Sequence, residues 1–197
     1  MTPQPDPQDA ADLAQLRAVA GGDRAAFEAL YLRVRQRLAR FLRRFTARPD
    51  LIDEVVNDTL WVVWRNAGNF RGDSKVSTWI TGIAYRCMLK ALRGQAPADE
   101  LSECTLDAAE LQQAAAAQQE GGPDSELRDW IASGLRTLPH DQRVTLELAY
   151  FLGHSCEEIA VIMDCAVGTV KARMFHARVR LRSVMPALGG QGQRSQG

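Results

Sequence analysis

Apolar residues recur every three to four positions along most of the chain, and this repeat limits the possible folds more than any other feature. The spacing matches the 3.6-residue period of an α-helix, whereas the strict alternation of a β-strand is absent. The clearest stripe is Phe27, Leu30, Tyr31, Val34, Leu38, Phe41, Leu42 and Phe45. The repeat predicts helices at about 11–20, 24–45, 49–67, 75–93, 126–137, 141–152, 155–163 and 168–184. We therefore expect an all-α protein.

Residues 94–125 interrupt this repeat with a different composition. They contain Gly94, Pro97, an Ala/Gln run at 112–119 and the sequence GGP at 121–123, with acidic residues throughout. Such composition is typical of a flexible linker. We expect two small helical domains joined by this acidic linker. The predicted boundaries are an N-terminal arm at 1–23, helical domains at 24–93 and 126–185, the linker at 94–125 and a disordered tail at 186–197.

The charges are unevenly distributed, although 24 Lys/Arg balance 24 Asp/Glu. Residues 24–93 contain fourteen basic and six acidic side chains, whereas residues 94–129 contain nine acidic side chains and one arginine. Basic blocks around an acidic connector suit a protein that contacts polyanions. The alternative is a solvated helix surface whose asymmetry is due to chance.

Several classes of protein are disfavoured by what the sequence lacks. The acidic, Pro-rich start differs from a signal peptide, and no apolar run approaches the roughly 20 residues of a membrane span. Cys87, Cys104, Cys156 and Cys165 show no CxxC spacing. We therefore expect a cytoplasmic protein with reduced thiols and no membrane insertion.

No catalytic constellation is visible. His140, His154 and His176 are scattered, and neither a nucleophile–base pattern nor a phosphate-binding glycine loop is present. The sequence predicts no enzyme and no cofactor. A metal site could be drawn from His154, Cys156 and Cys165, but we interpret these cysteines as small buried hydrophobic residues.

The segment from Ser155 to Arg173 predicts a helix-turn-helix. Ser155 and Glu158 have the spacing of a capping box, and Asp164 stands where the turn needs a left-handed residue. The second helix would begin near Gly168 and present basic side chains on its outer surface. Such a helix can enter the major groove of DNA. The alternative is an ordinary helical hairpin with a solvated basic face.

The third and fourth helices have contrasting surfaces. An acidic stripe ending in Trp61 suits a basic protein partner, unless Trp61 packs under a neighbouring helix. The loop and helix that follow combine Phe70, Trp79 and Tyr85 with basic side chains. Aromatic and basic groups together are typical of a platform for single-stranded nucleic acid, with stacking worth roughly 1–3 kcal/mol per base. Trp79 could instead belong to the core.

These segments together resemble the extracytoplasmic-function (ECF) group of sigma factors. The region 4 resemblance rests on LP at 138–139, EEIA at 157–160 and VGTVKAR at 167–173. The region 2 resemblance rests on AFEALY at 26–31, DEVVNDTL at 53–60, NFRGDS at 69–74 and STWI at 77–80. Asp164, Ala166, Ala172 and His176 depart from the usual Gly, Pro, Ser and Arg, so the sequence preference at the −35 element is expected to be shifted.

The resemblance implies an alternative sigma factor that binds core RNA polymerase and recognises promoters, with a role in stress response. Core binding, through the β′ coiled coil, is implied for Asp53, Glu54, Asn57, Asp58 and Trp61. Binding and melting of the −10 element is implied for Asn69, Phe70, Arg71, Ser74, Lys75, Thr78, Trp79, Tyr85, Arg86 and Lys90. Binding of duplex −35 DNA is implied for Thr169, Lys171, Ala172, Arg173, Phe175, His176 and Arg178. A contact with the β flap and an anti-sigma partner are also implied.

Two other functions remain open from the sequence. One is a stand-alone helix-turn-helix regulator whose N-terminal domain senses a ligand or dimerises. The other is a protein-interaction module that sequesters another factor. A DNA footprint without polymerase would favour the first, whereas the basic recognition helix argues against the second.

Overall fold

The computed structural model describes residues 7–93 and 125–189, and these residues form helices joined by turns and short loops. The helices are α1 (Pro7–Ala20), α2 (Arg24–Leu42), α3 (Pro49–Asn66), α4 (Val76–Arg93), α5 (Ser125–Arg136), α6 (His140–Leu146), α7 (Cys156–Met163) and α8 (Val167–Gly189). A 3₁₀ turn (Ala67–Asn69) follows α3, and a π-helical turn (Glu147–Phe151) follows α6. The expected all-α class is confirmed. Within these two ranges no helix is both long and apolar enough to cross a membrane. The predicted linker lies almost entirely outside them.

Local sequence signals explain where several helices begin and end. Asp23 accepts hydrogen bonds from the amides of Ala25 and Ala26 and so caps α2. Ser155 and Glu158 form the predicted capping box at the start of α7. Asp164 ends α7 with φ of 51° and ψ of 55°, which confirms the predicted left-handed turn residue. The helix-turn-helix is therefore α7, the turn at Asp164, and α8.

Two helices differ from the sequence prediction. Helix α2 ends at Leu42 instead of about residue 45, because the chain turns to bring Phe45 against Phe41 with ring centroids 5.1 Å apart. The predicted helix at 141–152 divides at Glu147 into α6 and the π-helical turn. Apolar periodicity does not reveal such a change, since only one residue is inserted into the helical repeat.

The two helical blocks pack against each other through α4 and α7. One hydrophobic core includes Val76 and Ile80 of α4 together with Ile159 and Ile162 of α7. Gly82 lies at the crossing, where an added Cβ atom would be 3.7 Å from the Cα atom of Ile162. A smaller cluster of Leu138, Leu146 and Ala177 packs α6 against α8. This packing brings the predicted −10 surface against the first helix of the helix-turn-helix.

Candidate polymerase and promoter interfaces

The acidic stripe of α3 is a solvent-exposed surface. Asp53, Glu54, Asn57 and Asp58 are exposed, and Trp61 retains 59% of its accessible area. Trp61 is thus not packed beneath a neighbouring helix. The opposite face of α3 is buried, through Ile52, Val55, Val56, Thr59, Leu60 and Val63. An exposed indole among carboxylates is suited to a protein partner that carries positive charge.

Helix α2 borders this stripe and carries Leu32, an exposed residue that the sequence analysis did not single out. Tyr31 donates a hydrogen bond to Asn57 at 3.4 Å, and Arg35 pairs with Asp53 at the same distance. Leu32, next to Tyr31, is 63% exposed. The sequence does indicate that Leu32 is exposed, because it lies outside the apolar stripe of α2. A large aliphatic side chain on the polar face of a helix has no core to enter.

The loop between α3 and α4 places part of the predicted −10 surface in solvent. Asn69, Arg71 and Lys75 are exposed, as are Arg86 and Lys90 farther along α4. Phe70 and Trp79 are half-buried and lie against each other, with ring centroids 5.3 Å apart and an interplanar angle of 54°. The sequence left open whether Trp79 belongs to the core. In the structure it lies at the edge of the hydrophobic core, in contact with Phe70.

Two predicted −10 residues are not accessible in this arrangement. Thr78 has no exposed area and Tyr85 is 6% exposed. The hydroxyl of Thr78 donates a hydrogen bond to Glu158 of α7 at 3.1 Å, and the Lys75 amine lies 3.6 Å from the same carboxylate oxygen. The predicted −10 surface therefore combines Phe70, Lys75 and Trp79 with a buried Thr78, while Tyr85 lies in the core.

Glu158 has an unusual concentration of partners. Its other carboxylate oxygen accepts the Ser155 amide at 2.9 Å and lies 3.6 Å from Nδ1 of His154. Burial alone would raise the pKa of Glu158, but the Ser155 amide, the Thr78 hydroxyl, His154 and Lys75 together lower it. Burial lowers the pKa of His154, against the opposing effect of Glu158. Glu158 is thus held as a carboxylate between the two helical blocks.

A second polar cluster joins the end of α2 to the π-helical turn. Arg44 forms an ion pair with Glu147, which is 3% exposed, and Arg143 donates to the carbonyl oxygen of Arg44. Burial raises the pKa of Glu147 and lowers the pKa of Arg143 to about 10. The Arg143 guanidinium lies over the ring of Phe45, 5.3 Å from its centroid.

Several arginines of α2 and of the turn after it are therefore paired within the chain. Arg33 pairs with Asp12 at 2.8 Å, and Arg37 donates to the carbonyl oxygen of Leu152 at 2.8 Å. Arg35 and Arg44 have the partners described above. Part of the basic block that suggested polyanion binding is thus used in contacts within the chain. These contacts join α2 to α1, to α3 and to the segment before α7.

The outer surface of α8 carries most of the predicted −35 residues. Thr169, Lys171, Ala172, Phe175, His176 and Arg178 are exposed. Phe175 and His176 meet edge to face with centroids 5.5 Å apart. Arg173 differs from the others because it is half-buried, pairs with Asp141 of α6 and lies 3.6 Å from Cys165 Sγ. The structure thus gives Arg173 a role in fastening α6 to the helix-turn-helix.

Tyr150 is a second residue that sequence reasoning missed. It is 68% exposed, and its hydroxyl accepts a hydrogen bond from Arg178 at 2.7 Å. The Arg178 guanidinium is 6.0 Å from the centroid of the Tyr150 ring. No local pattern connects two residues that are 28 positions apart, and the π-helical turn that presents Tyr150 was not predicted.

The alternative metal site is not assembled among the described residues. His154 faces Glu158, Cys156 Sγ lies 3.8 Å from Met174 Sδ, and Cys165 lies beside Arg173. Within residues 7–93 and 125–189 no group of three or more His, Cys, Asp and Glu is placed to hold a metal ion. The two cysteines are half-buried packing residues between α7 and α8.

Comparison with known proteins assigns both helical blocks. Family models match residues 30–97 (Sigma-70 region 2) and 128–181 (Sigma-70, region 4). ECF RNA polymerase sigma-E factors from Salmonella typhimurium and Escherichia coli are each 32% identical over 173 residues, covering 85% of this chain and 90% of theirs. The RNA polymerase sigma-H factor of Pseudomonas aeruginosa is 34% identical over 175 residues with the same coverage.

Two solved structures share the fold. One is CnrH in complex with the cytosolic domain of CnrY, with a TM-score of 0.65, 25% identity, and coverage of 90% of this chain and 98% of that chain. The other is the sigma factor RpoE in complex with the anti-sigma factor NepR from Bartonella quintana, with a TM-score of 0.59, 26% identity, and coverage of 81% and 96%.

The chain belongs to the sigma-70 family of transcription initiation factors. Within that family it is an ECF sigma factor, which binds RNA polymerase and directs transcription from specific promoters. The expectation drawn from the residue motifs is thereby confirmed, and the stand-alone regulator and the sequestering module give way to it.

Proposed function

We propose that the exposed stripe of α3 is the main contact with core polymerase. Trp61 carries this assignment, because an indole that is 59% exposed among acidic side chains needs a partner to cover it. Asp53, Glu54, Asn57 and Asp58 lie on the same exposed face of α3, and Leu32 is a further exposed apolar side chain on the bordering helix α2. The partner surface is the β′ coiled coil, whose basic side chains would complement the stripe.

The −10 element is assigned to the loop before α4 and to α4 itself. Asn69, Phe70, Arg71 and Ser74 form the loop that would capture an unstacked base. Lys75, Thr78, Trp79, Arg86 and Lys90 extend the surface along the helix. Aromatic rings and basic groups favour the unpaired state, which promoter melting requires. Tyr85 supports the helix from the core.

The −35 element is assigned to the exposed face of α8. Lys171, Ala172, Phe175 and His176 would approach base edges in the major groove, while Thr169 and Arg178 would contact the backbone. Arg173 acts through Asp141 by fixing the recognition helix. The second helical block also supplies the contact with the β flap. These roles need no catalytic group or cofactor, and we propose that the protein performs them in the cytoplasm.

An anti-sigma protein is proposed as the regulator. The two solved relatives are complexes, one with the cytosolic domain of CnrY and the other with the anti-sigma factor NepR. Both match across the two helical blocks of this chain. A partner that covers both blocks would block polymerase and promoter together.

Reconstituted transcription tests the proposed function. Purified protein is combined with core polymerase lacking other sigma factors and with a DNA fragment from upstream of its own coding sequence, since such factors often regulate themselves. We expect discrete initiation that requires this protein and is absent with core polymerase alone. Failure to bind core polymerase, together with a clean footprint by the protein alone, would instead favour a stand-alone regulator.

A further inference from the structure

The π-helical turn places an exposed tyrosine at the edge of the −35 surface. Tyr150 accepts a hydrogen bond from Arg178, although both side chains are open to solvent. Exposed side chains rarely hold a fixed geometry without support, because solvent competes for their hydrogen bonds. Here the neighbours of Tyr150 are fixed, since Glu147 is 3% exposed and Leu148 is fully buried.

Arg178 lies on the same stripe of α8 as two predicted −35 residues. Lys171, Phe175 and Arg178 stand four and three residues apart, which places them on one face of a helix. Tyr150 approaches this face from the side of α6. The Tyr150–Arg178 pair therefore flanks the recognition helix where the sugar-phosphate backbone passes a helix in the major groove.

The hydrogen bond leaves both groups able to donate to the same anion. The Tyr150 oxygen accepts from Arg178, so its own O–H remains available as a donor, and the guanidinium has further N–H groups. We propose that Tyr150 and Arg178 together bind one phosphate of the −35 duplex, with Tyr150 both orienting Arg178 and contacting the phosphate oxygen. This inference rests on the proposed −35 role of α8.

A double-mutant cycle tests the pair. The holoenzyme is titrated against the duplex upstream fragment over a range of salt concentrations, using the wild type, Tyr150→Phe, Arg178→Ala and the double variant. We expect Tyr150→Phe to weaken binding about fivefold and Arg178→Ala about tenfold. Only Arg178→Ala should make the salt dependence less steep, by about 1 in the slope of log K against log[salt], because the tyrosine hydroxyl carries no charge. The double variant should bind more weakly than Arg178→Ala but by less than the roughly 50-fold total of independent effects, because part of the Tyr150 effect is exerted through Arg178.

The outcomes separate this inference from the proposed function. Arg17→Ala, which removes an exposed arginine in α1, is the matched control and should bind like the wild type. Unchanged affinity in Tyr150→Phe, unchanged affinity and salt slope in Arg178→Ala, or strictly additive effects would each overturn the joint phosphate contact. Tyr150→Phe that binds DNA normally but loses core polymerase would assign Tyr150 to a protein contact instead. Absence of duplex binding by the wild-type holoenzyme would count against the −35 assignment itself.

The packing of α4 against α7 carries a second, independent inference. The Glu158 carboxylate accepts the Thr78 hydroxyl at 3.1 Å and lies 3.6 Å from the Lys75 amine, which is also 3.8 Å from Asp9 of α1. A DNA phosphate offers the same chemistry, since its anionic oxygens accept from hydroxyl and ammonium groups. The Glu158 carboxylate and a DNA phosphate therefore cannot bind Thr78 and Lys75 at the same time.

We infer that Glu158 is a latch, which holds α7 over the −10 surface of the free protein and is displaced when single-stranded DNA binds. The inference rests on the proposed −10 role of Thr78 and Lys75. The −35 face of α8 is exposed in the same arrangement. The latch therefore restricts binding of the −10 element and leaves the −35 element accessible.

Glu158→Gln tests the latch without removing the helix cap. Glutamine serves a capping box as glutamate does, but it carries no charge to pair with Lys75. We expect free full-length Glu158→Gln to bind a fluorescent single-stranded oligonucleotide, the non-template strand of its own −10 region, about fivefold more tightly than the wild type. Duplex −35 binding should not change. Equal oligonucleotide affinities of variant and wild type would overturn the latch.

Gly82 provides a second, steric way to open the same contact. Gly82→Leu would force α4 and α7 apart, and we expect oligonucleotide binding about tenfold tighter than in the wild type. Gly82→Ala is the matched control, because its Cβ would make an ordinary contact with Ile162.

Hydrogen exchange on the wild type is a further measurement. Amides of α7 should exchange faster when the oligonucleotide saturates, and unchanged exchange would contradict the displacement. A wild-type holoenzyme that cannot open its promoter would instead count against the −10 assignment.

Discussion

Simultaneous replacement of Asp53, Asp58 and Trp61 by alanine is expected to abolish sigma-dependent transcription at limiting sigma concentration. A buried aromatic hot spot contributes about 2 kcal/mol or more to binding, and each 1.4 kcal/mol is a tenfold change in affinity. Loss of Trp61 alone should therefore weaken core binding roughly 30-fold. Removing the two carboxylates should add at least another factor of about ten by slowing association. The measurement is sigma binding to core polymerase by fluorescence titration, followed by run-off transcription.

A conservative triple variant is the matched control. Asp53→Glu, Asp58→Glu and Trp61→Phe keep the charge and an aromatic ring, so most of the activity should remain. All three side chains are exposed, and the fold should therefore be unaffected in either variant. Wild-type affinity should fall as salt rises, and this dependence should be weaker in the alanine variant. Full activity of the alanine variant would disprove the assignment of this surface.

The helices themselves could be predicted because their causes are local. The apolar spacing predicted helix α3 at 49–67, and the helix found there buries an inner face that includes Ile52, Val56 and Val63. The Ser155–Glu158 spacing identified the capping box, and Asp164 identified the left-handed turn. In each case the residues that determine the structure lie within one or two helical turns of each other.

The contacts between the helical blocks could not be predicted in the same way. Thr78 and Glu158 are 80 residues apart, and Arg143 and Arg44 are 99 apart. The residues were correctly recognised as polar, but nothing in their spacing indicates a partner across the linker. Burial is equally hard to predict for Tyr85, because an aromatic residue on an amphipathic helix suits a stacking platform and a core equally well. Its 6% exposure identifies it as a core residue.

Replacement of Glu147 by alanine is expected to destabilise the folded protein strongly, because it removes a buried charge from an ion pair. Glu147 is 3% exposed and pairs with Arg44, and Arg143 beside it is 8% exposed. Removing one partner of a buried ion pair leaves the remaining charge uncompensated and costs about 3–5 kcal/mol. The free energy of unfolding, measured by urea denaturation with tryptophan fluorescence, should fall by that amount. Glu28→Ala, an exposed control on α2, should stay within about 0.5 kcal/mol of the wild type.

A double variant distinguishes the effect of the uncompensated charge from the effect of lost packing. In Arg44→Met/Glu147→Met both charges of the pair are replaced by apolar side chains. One buried cation, Arg143, then remains without Glu147, whereas Glu147→Ala leaves both Arg143 and the half-buried Arg44. Buried ion pairs replaced in this way are often neutral in stability, and the double variant should therefore be more stable than Glu147→Ala by about 2 kcal/mol. Glu147→Gln should resemble Glu147→Ala, because it preserves shape but not charge. A cost below about 1 kcal/mol for Glu147→Ala would show that Arg44 and Arg143 find other partners or solvent. The Arg44–Glu147 pair would then not be what holds the end of α2 against the π-helical turn.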